Sequence, residues 1–321
     1  MLRSTVIGNY PKLPTQKGEL NIRRVLHRLD KGEIDHAELE RSFDRVTARV
    51  VREQIEAGID LPTDGQIRWD DIVTPFASQT DGFEVNGLIR WFDNNVYYRK
   101  PVVIGDIKSR QPVASARFKF AAAQAGKSLK AVLPAPYSFV KLSEDRHYHN
   151  PEKLLSDVAT LLRVEVAALI SAGAEQIQFD DPCLQYYPDD IALAAEALNS
   201  VVRGQKATFW LCFYFGSIEK IAPEFRRFDV AVISADCVSA PSNFEHLLRF
   251  SNHQIPCFGL MDARNIRLES EPALRQRYER ISRDFPDAYV SPSCGLEFLP
   301  HVNALAKINL LGRTVKQFRG E

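Results

Sequence analysis

Apolar residues recur along this chain in short runs that end in polar, glycine or proline residues, and longer stretches with apolar positions three and four apart lie between several of them. The first pattern reads as a buried strand and the second as an amphipathic helix. The runs are STVIGNYP (4–11), GIDLPTDGQ (58–66), KAVLPAPYSF (130–139), EQIQFDDP (175–182), ATFWLCFYFG (207–216), DVAVISADC (229–237), IPCFGLMDAR (255–264) and AYVSPSCG (288–295). Among the intervening stretches, PEKLLSDVATLLRVEVAALISAG (151–173) opens on Pro151 and closes on Gly173, a start and a stop signal for a helix. Alternating strand and helix predict a parallel sheet. Eight such units in 321 residues predict an α/β fold of the (β/α)8 TIM-barrel type, as a single domain over 1–321. A doubly wound sheet is the competing arrangement, but no GxGxxG follows the first run.

Two stretches exceed what simple connections need. Residues 20–57 are strongly helical in pattern and lead into the second strand. Residues 67–110 include the alternating NNVYYRKPVVIGDI and predict an inserted helix and hairpin that cap the second strand.

Composition narrows the function classes. Lys plus Arg and Asp plus Glu are 41 each, so no net field favours nucleic acid or an anionic membrane. No stretch approaches the roughly 20 apolar residues of a membrane span, and the N-terminus lacks a signal-peptide core, so the expected setting is cytoplasmic. The five cysteines, Cys183, Cys212, Cys237, Cys257 and Cys294, are odd in number, spread out and free of CxxC pairs, which argues against a disulfide framework.

In a barrel of this kind the chemistry collects at the C-terminal strand ends. Asn9, Asp64, Gln66, Tyr137, Asp180, Asp181, Cys212, Asp236, Asp262 and Cys294 then share one mouth. Cysteine sulfur and carboxylate oxygen are ligands for a thiophilic metal such as zinc. The competing reading, that free cysteines pack as small hydrophobes, is kept for Cys183 and Cys257.

These residues carry a resemblance. In order from residue 4 to 296, STVIGNYP, TDGQIRWD, KPVVIGDI, LPAPYSF, IQFDDPCL, GLMDARNIRLES and VSPSCGL resemble landmarks of the cobalamin-independent methionine synthases, in particular their catalytic C-terminal half and the short stand-alone members. The resemblance implies a methyltransferase that moves a methyl group from a folate or another donor to a thiol such as homocysteine, with small molecules as its only partners. It also implies a zinc ion held by His, Cys, Glu and Cys. Two of those positions fall on Cys212 and Cys294, and the glutamate falls on Asp236, one methylene shorter. The histidine position is Trp210, whose indole offers only an N–H and cannot ligate. Adjacent Cys237 is on the opposite face of a strand, and His147 and His149 lie in a loop on the mouth side.

The resemblance further assigns substrate contacts to the backbone around Ile7 and Asn9, and to Gln66, where the family has a glutamate, and Asp180, which in the family pair with the acceptor's amino group; Trp210 is a further candidate for substrate binding, and Asp180 and Asp181 are the candidate catalytic acids. Four departures, at Asn9, Gln66, Trp210 and Asp236, fall in one pocket. Three readings stay open: a thiol methyltransferase using Cys212, Asp236 and Cys294 as zinc ligands; a repurposed metal-free barrel enzyme, either a lyase or another group transferase; and a noncatalytic accessory protein. Arg68, Arg90 and Arg99 are the candidates for an anionic tail on the methyl donor.

Overall fold

The computed structural model describes residues 1–13, 20–251 and 253–321. Seven of the eight runs form one parallel sheet: β1 (Leu2–Ser4), β4 (Lys130–Pro134), β6 (Gln176–Asp180), β7 (Thr208–Phe213), β8 (Val232–Asp236), β9 (Ile255–Met261) and β10 (Ala288–Pro292). Their order is β1-β10-β9-β8-β7-β6-β4. The eighth run closes the ring between β1 and β4. It is too irregular to count as a strand and is tied by two isolated parallel bridges, Thr5 to Leu61 and Thr63 to Lys130.

Side chains complete what that stave lacks. Gln54 donates from Nε2 to the Thr63 carbonyl at 3.0 Å and accepts the Thr63 N–H at 2.9 Å, so one amide does the work of a strand neighbour. Asp60 accepts the Ser4 N–H at 2.7 Å and pairs with Arg319 at 3.0 Å. Both backbone polar groups of Thr63 are thereby satisfied in a fully buried position.

The helices start where the sequence has capping residues. Asn21, Asp35 and Asn150 each accept a backbone N–H three residues on, opening α1 (Ile22–Asp30), α2 (His36–Glu56) and α6 (Pro151–Ser171). The remaining connections carry α4 (Ser115–Ala125), α5 (Pro136–Lys141), α7 (Ile191–Val202), α8 (Asn243–Phe250), α9 (Glu271–Asp284) and α10 (His301–Arg319). The expected insertion is a short α3 (Thr74–Ala77) and an antiparallel hairpin of β2 (Thr80–Arg90) and β3 (Tyr97–Ser109), to which the two-residue β5 (Glu144–Asp145) adds in parallel. No helix among the described residues is long and apolar enough to cross a membrane.

The barrel interior is packed with side chains. Leu61, Trp210, Val232, Cys257 and Tyr289 form a plug separate from the main core, which fills the space between strands and helices. Outside the barrel, α10 lies so close to the end of α2 that a Cβ on Gly312 would sit 2.0 Å from the Ala57 carbonyl oxygen. Gly312→Ala gains about 1 kcal/mol of helix propensity but overpacks a backbone contact, typically about 1–3 kcal/mol or more. A net loss of stability is expected in urea unfolding. Wild-type stability in that variant would show that α10 slides freely on α2.

Candidate active site

The strand ends and the hairpin enclose a cavity of about 1020 Å³. Ile7, Asn9, Gln66, Asp180, Tyr214 and Glu297 line its barrel side, while Trp91, Tyr98, Phe215 and Phe298 contribute aromatic walls. The roof is packed onto the barrel: Phe92 at the hairpin turn meets Phe215 at 5.3 Å and Tyr186 at 6.1 Å between ring centroids. Arg264, after β9, pairs with Asp93 at 2.7 Å and lies over the Phe215 ring, fastening the turn to the strand ends. Gln66 and Phe215 both hold left-handed backbone, φ 49° and 74°, a costly conformation kept where the surroundings enforce it.

Asp180 ends β6, where the alternation of the strand turns Gln178 and Asp180 inward. Gln178 Nε2 donates to the Ile7 carbonyl at 2.5 Å and to Asp180 Oδ1 at 2.6 Å, and Tyr214 donates to Asp180 Oδ2 at 3.3 Å. Burial pushes the Asp180 carboxyl up to about 7, against the Gln178 amide, the Lys130 ammonium and the Tyr214 hydroxyl, with Glu297 pushing it further up. A carboxyl near neutrality can hold or release a proton at little cost.

Asp181 faces away from this cavity. It accepts from the Ser138 hydroxyl at 2.5 Å and from the Leu184 N–H at 3.1 Å, while Ser138 accepts the Cys183 N–H, so the carboxylate organises the turn after β6. Of the other expected mouth residues, Asp64 accepts the Gln66 N–H at 3.0 Å and Tyr137 donates to Asp190 at 2.6 Å. Asp262 lines a separate 280 Å³ cleft against α9. His147 bonds Asp106 of the hairpin at 3.1 Å, a position outside the cavity lining.

The residues expected to hold a metal are placed as follows. Trp210 is fully buried below the cavity, donates its indole N–H to Gln176 at 2.8 Å, and has the Lys130 ammonium over its ring at 4.4 Å. Asp236 spends its carboxylate on backbone, accepting the Val238 and Ser239 N–H groups at 2.8 Å each and the Phe215 N–H at 3.3 Å. Cys212 faces Asp180, Ser234, Cys257 and Lys130, whereas Cys294 faces Glu297, Asp236, Ser293 and Arg264. Among the described residues no three His, Cys, Asp or Glu side chains are grouped to hold a metal. Around Cys212, Asp236 and Cys294 the expected fourth position is an indole, the Asp236 carboxylate caps backbone, and the Lys130 ammonium interacts with Cys212.

Lys130 and Glu297 were not among the expected site residues. Lys130 opens β4, is fully buried, and has no hydrogen-bond partner on Nζ; burial pulls its ammonium down to about 8, opposed by Cys257, Cys212 and Asp180. Glu297 sits in the single turn Leu296–Phe298 after Cys294, and burial pushes its carboxyl up to about 7, against its own backbone, Asn9 and Lys12. Of the three arginines, Arg68 and Arg99 line the cavity. Arg68 is held by Glu40 at 3.1 Å and Asp44 at 2.5 Å. Arg90 instead donates to the Asn94 and Asp93 carbonyls.

Comparison with known proteins agrees with this architecture. The family described as "Cobalamin-independent synthase, Catalytic domain" matches residues 2–316. The methionine synthase of Saccharolobus solfataricus is 28% identical, with 100% of this chain and 96% of that protein covered. That of Sulfolobus acidocaldarius is 29% identical, covering 98% and 92%. A B12-independent methionine synthase from Shewanella sp. W3-18-1, solved with selenomethionine, shares the fold at TM-score 0.87 and 21% identity, over 100% of this chain and 98% of that one. A methyltransferase from Methanosarcina mazei shares it at TM-score 0.63 and 11% identity, over 98% and 94%.

Two outcomes test the site. Protein purified without chelator is expected to hold well under one zinc per chain by elemental analysis, and a full equivalent that disappears in Cys294→Ser would place a metal at these cysteines. Asp181, pushed up to about 6 chiefly by burial, binds its proton more tightly folded than unfolded, so its contribution to stability is lost as pH rises through about 6. Asp181→Asn removes that loss. Its melting temperature relative to wild type should climb between pH 4 and 7, with up to about 3 kcal/mol at stake; a pH-independent difference would contradict the assignment.

Proposed function

The chain belongs to the cobalamin-independent synthase family, in its catalytic domain, and from that premise we propose that it is a methyltransferase that methylates a small thiol, homocysteine or a close relative. The observation that carries the reading is Asp180 on the floor of a cavity of about 1020 Å³, fixed by Gln178 and Tyr214 and poised near neutrality. The partners are small molecules, an acceptor thiol and a methyl donor of the methylated tertiary-amine kind.

In the reaction a sulfur–carbon bond forms as the donor's nitrogen–carbon bond breaks, and the acceptor's thiol proton ends on the donor nitrogen. Asp180 is placed to hold that proton between the two. Gln178 keeps its carboxylate in register with the Ile7 carbonyl across the barrel, and Tyr214 fixes the other oxygen. The aromatic walls exclude water from the bound pair, which strengthens the charge interactions of the carboxylate. Arg23 and Arg99 at the cavity rim are placed to meet an anionic donor. Asp181 acts at one remove, by setting the turn that follows Asp180.

The test is direct. Purified protein with a methylfolate donor and homocysteine should form a thioether detectable by mass spectrometry. Asp180→Asn keeps the shape and removes the proton site, and should lower kcat about a hundredfold or more, the usual range for a lost acid–base group. Absence of any methylated product across a panel of small thiols would overturn the reading, as would full activity of Asp180→Asn.

A further inference from the structure

Lys130 carries a positive charge into the barrel and bonds it to nothing. The side chain is fully buried, Nζ has no hydrogen-bond partner among the described residues, and the ammonium lies 4.4 Å from the centre of the Trp210 ring. Burying a charge without a hydrogen-bonded partner is costly, and an apolar side chain of the same length would fill the space without that cost. The ionisable groups that face it are Cys257, Cys212 and Asp180, and Asp180 is the one carboxyl among them.

Strand register gives the route between the two. Lys130 pairs with Gln176 at the foot of β6, Trp210 of β7 pairs with Gln178, and Cys212 pairs with Asp180 at the top. The ammonium over the Trp210 ring therefore stands below Asp180, near the level of Gln178. Gln178 is fully buried, and its amide donates to the Ile7 carbonyl at 2.5 Å and to Asp180 Oδ1 at 2.6 Å. Both of those oxygens accept, so the bonded atom is the NH2 group and the free atom, Oε1, is itself an acceptor. Oε1 has no partner, and the Ser234 hydroxyl, beside Cys212 in register on β8, faces the Cys212 and Cys257 thiols and bonds no oxygen or nitrogen. An ammonium, an amide oxygen and a hydroxyl are thus sealed together beneath the cavity floor.

We propose that Lys130 is a positioning residue for Asp180, acting through one enclosed water that accepts from Nζ and donates to Gln178 Oε1 and Ser234 Oγ. Three hydrogen bonds are the usual number for a buried water. The line then runs unbroken from the ammonium through the amide to the carboxylate, and an amide polarised at its oxygen donates more strongly from its nitrogen. Gln178 is thereby held with Nε2 toward Ile7 and Asp180, and the carboxylate is held in one orientation toward the cavity. Lys130 lies outside the cavity lining, so it acts without touching a substrate. The inference rests on the methyltransferase reading for its effect on turnover, and not for the water or the network.

Crystal structures read the network without any activity. In wild type, one water should lie within hydrogen-bond distance of Lys130 Nζ and Gln178 Oε1; no water there, or an ion in its place, would overturn the inference. Lys130→Met keeps the length and removes the charge. Its structure should lose the water and show the Asp180 carboxylate turned, and its kcat should fall about ten- to a hundredfold, as for a reacting group slightly misplaced, with the KM for the methyl donor unchanged. In an Asp180→Asn background the same change should cost nothing more, because its effect passes through the carboxylate. Equal losses in both backgrounds, a donor KM that rises as kcat falls, or an unchanged kcat would each show a lysine that only packs, and overturn the inference. Ser234→Ala leaves the buried charge in place and carries the same comparison if Lys130→Met does not fold, with a smaller fall in kcat expected. A protein that shows the water and the turned carboxylate yet methylates no thiol would keep the network and lose the methyltransferase reading.

Discussion

Everything at the mouth of this barrel depends on how the ring closes between β1 and β4. A regular strand would have closed it with a full ladder of hydrogen bonds. Here two bridges remain, and Gln54 and Arg319, from helices outside the ring, supply the rest together with Asp60 of the stave itself. That arrangement pins residues 59–63 while releasing the chain at Asp64, where it turns sharply enough to need positive φ at both Gly65 and Gln66. Gln66 is aimed at the cavity because closure stops just before it. The same closure sets β1, and through the Ile7 carbonyl it sets Gln178 and Asp180 on the far side of the ring.

The sequence made the frame readable because the frame is periodic. Eight apolar runs, capping residues at Asn21, Asp35 and Asn150, and the alternation of the inserted hairpin all follow from burial on one face or two. Asp180 was legible for the same reason, as an acid at a strand end. Glu297 was not, since it lies one irregular turn beyond β10, and no period says which way such a residue faces. Lys130 escaped because a charged residue at the start of an apolar run is normally a solvated end. In this barrel the strand begins inside the plug, and the lysine is fully buried. The signal for it was Trp210, a large aromatic ring facing inward on the neighbouring part of the barrel, which a buried cation can face.

Trp210 and Lys130 also show that matching cysteines are not by themselves a ligand set. Cys212 stands on β7 and Cys294 just beyond the end of β10, with different neighbours, and the Lys130 ammonium lies over the ring of Trp210, the position expected to carry the histidine. A soft-donor count from sequence is blind to this, because it registers which residues are present and not what has already claimed them. Asp236 makes the same point: an acid at a strand end, fully engaged by three backbone N–H groups.

The roof of the cavity comes from a different part of the chain than its floor. The floor is made by strand ends, which the ring holds in place. The roof is an excursion between the closing stave and β4, attached through Phe92, Phe215 and the Arg264–Asp93 pair. Among the described residues no barrel strand pairs with the hairpin, whose sheet neighbour is the two-residue β5. The floor that holds the reacting groups and the roof that encloses the bound molecule are thus written in separate segments. The hairpin is a replaceable module, free to be lengthened or exchanged as the molecule diversifies, while the ring beneath it keeps its acid in place.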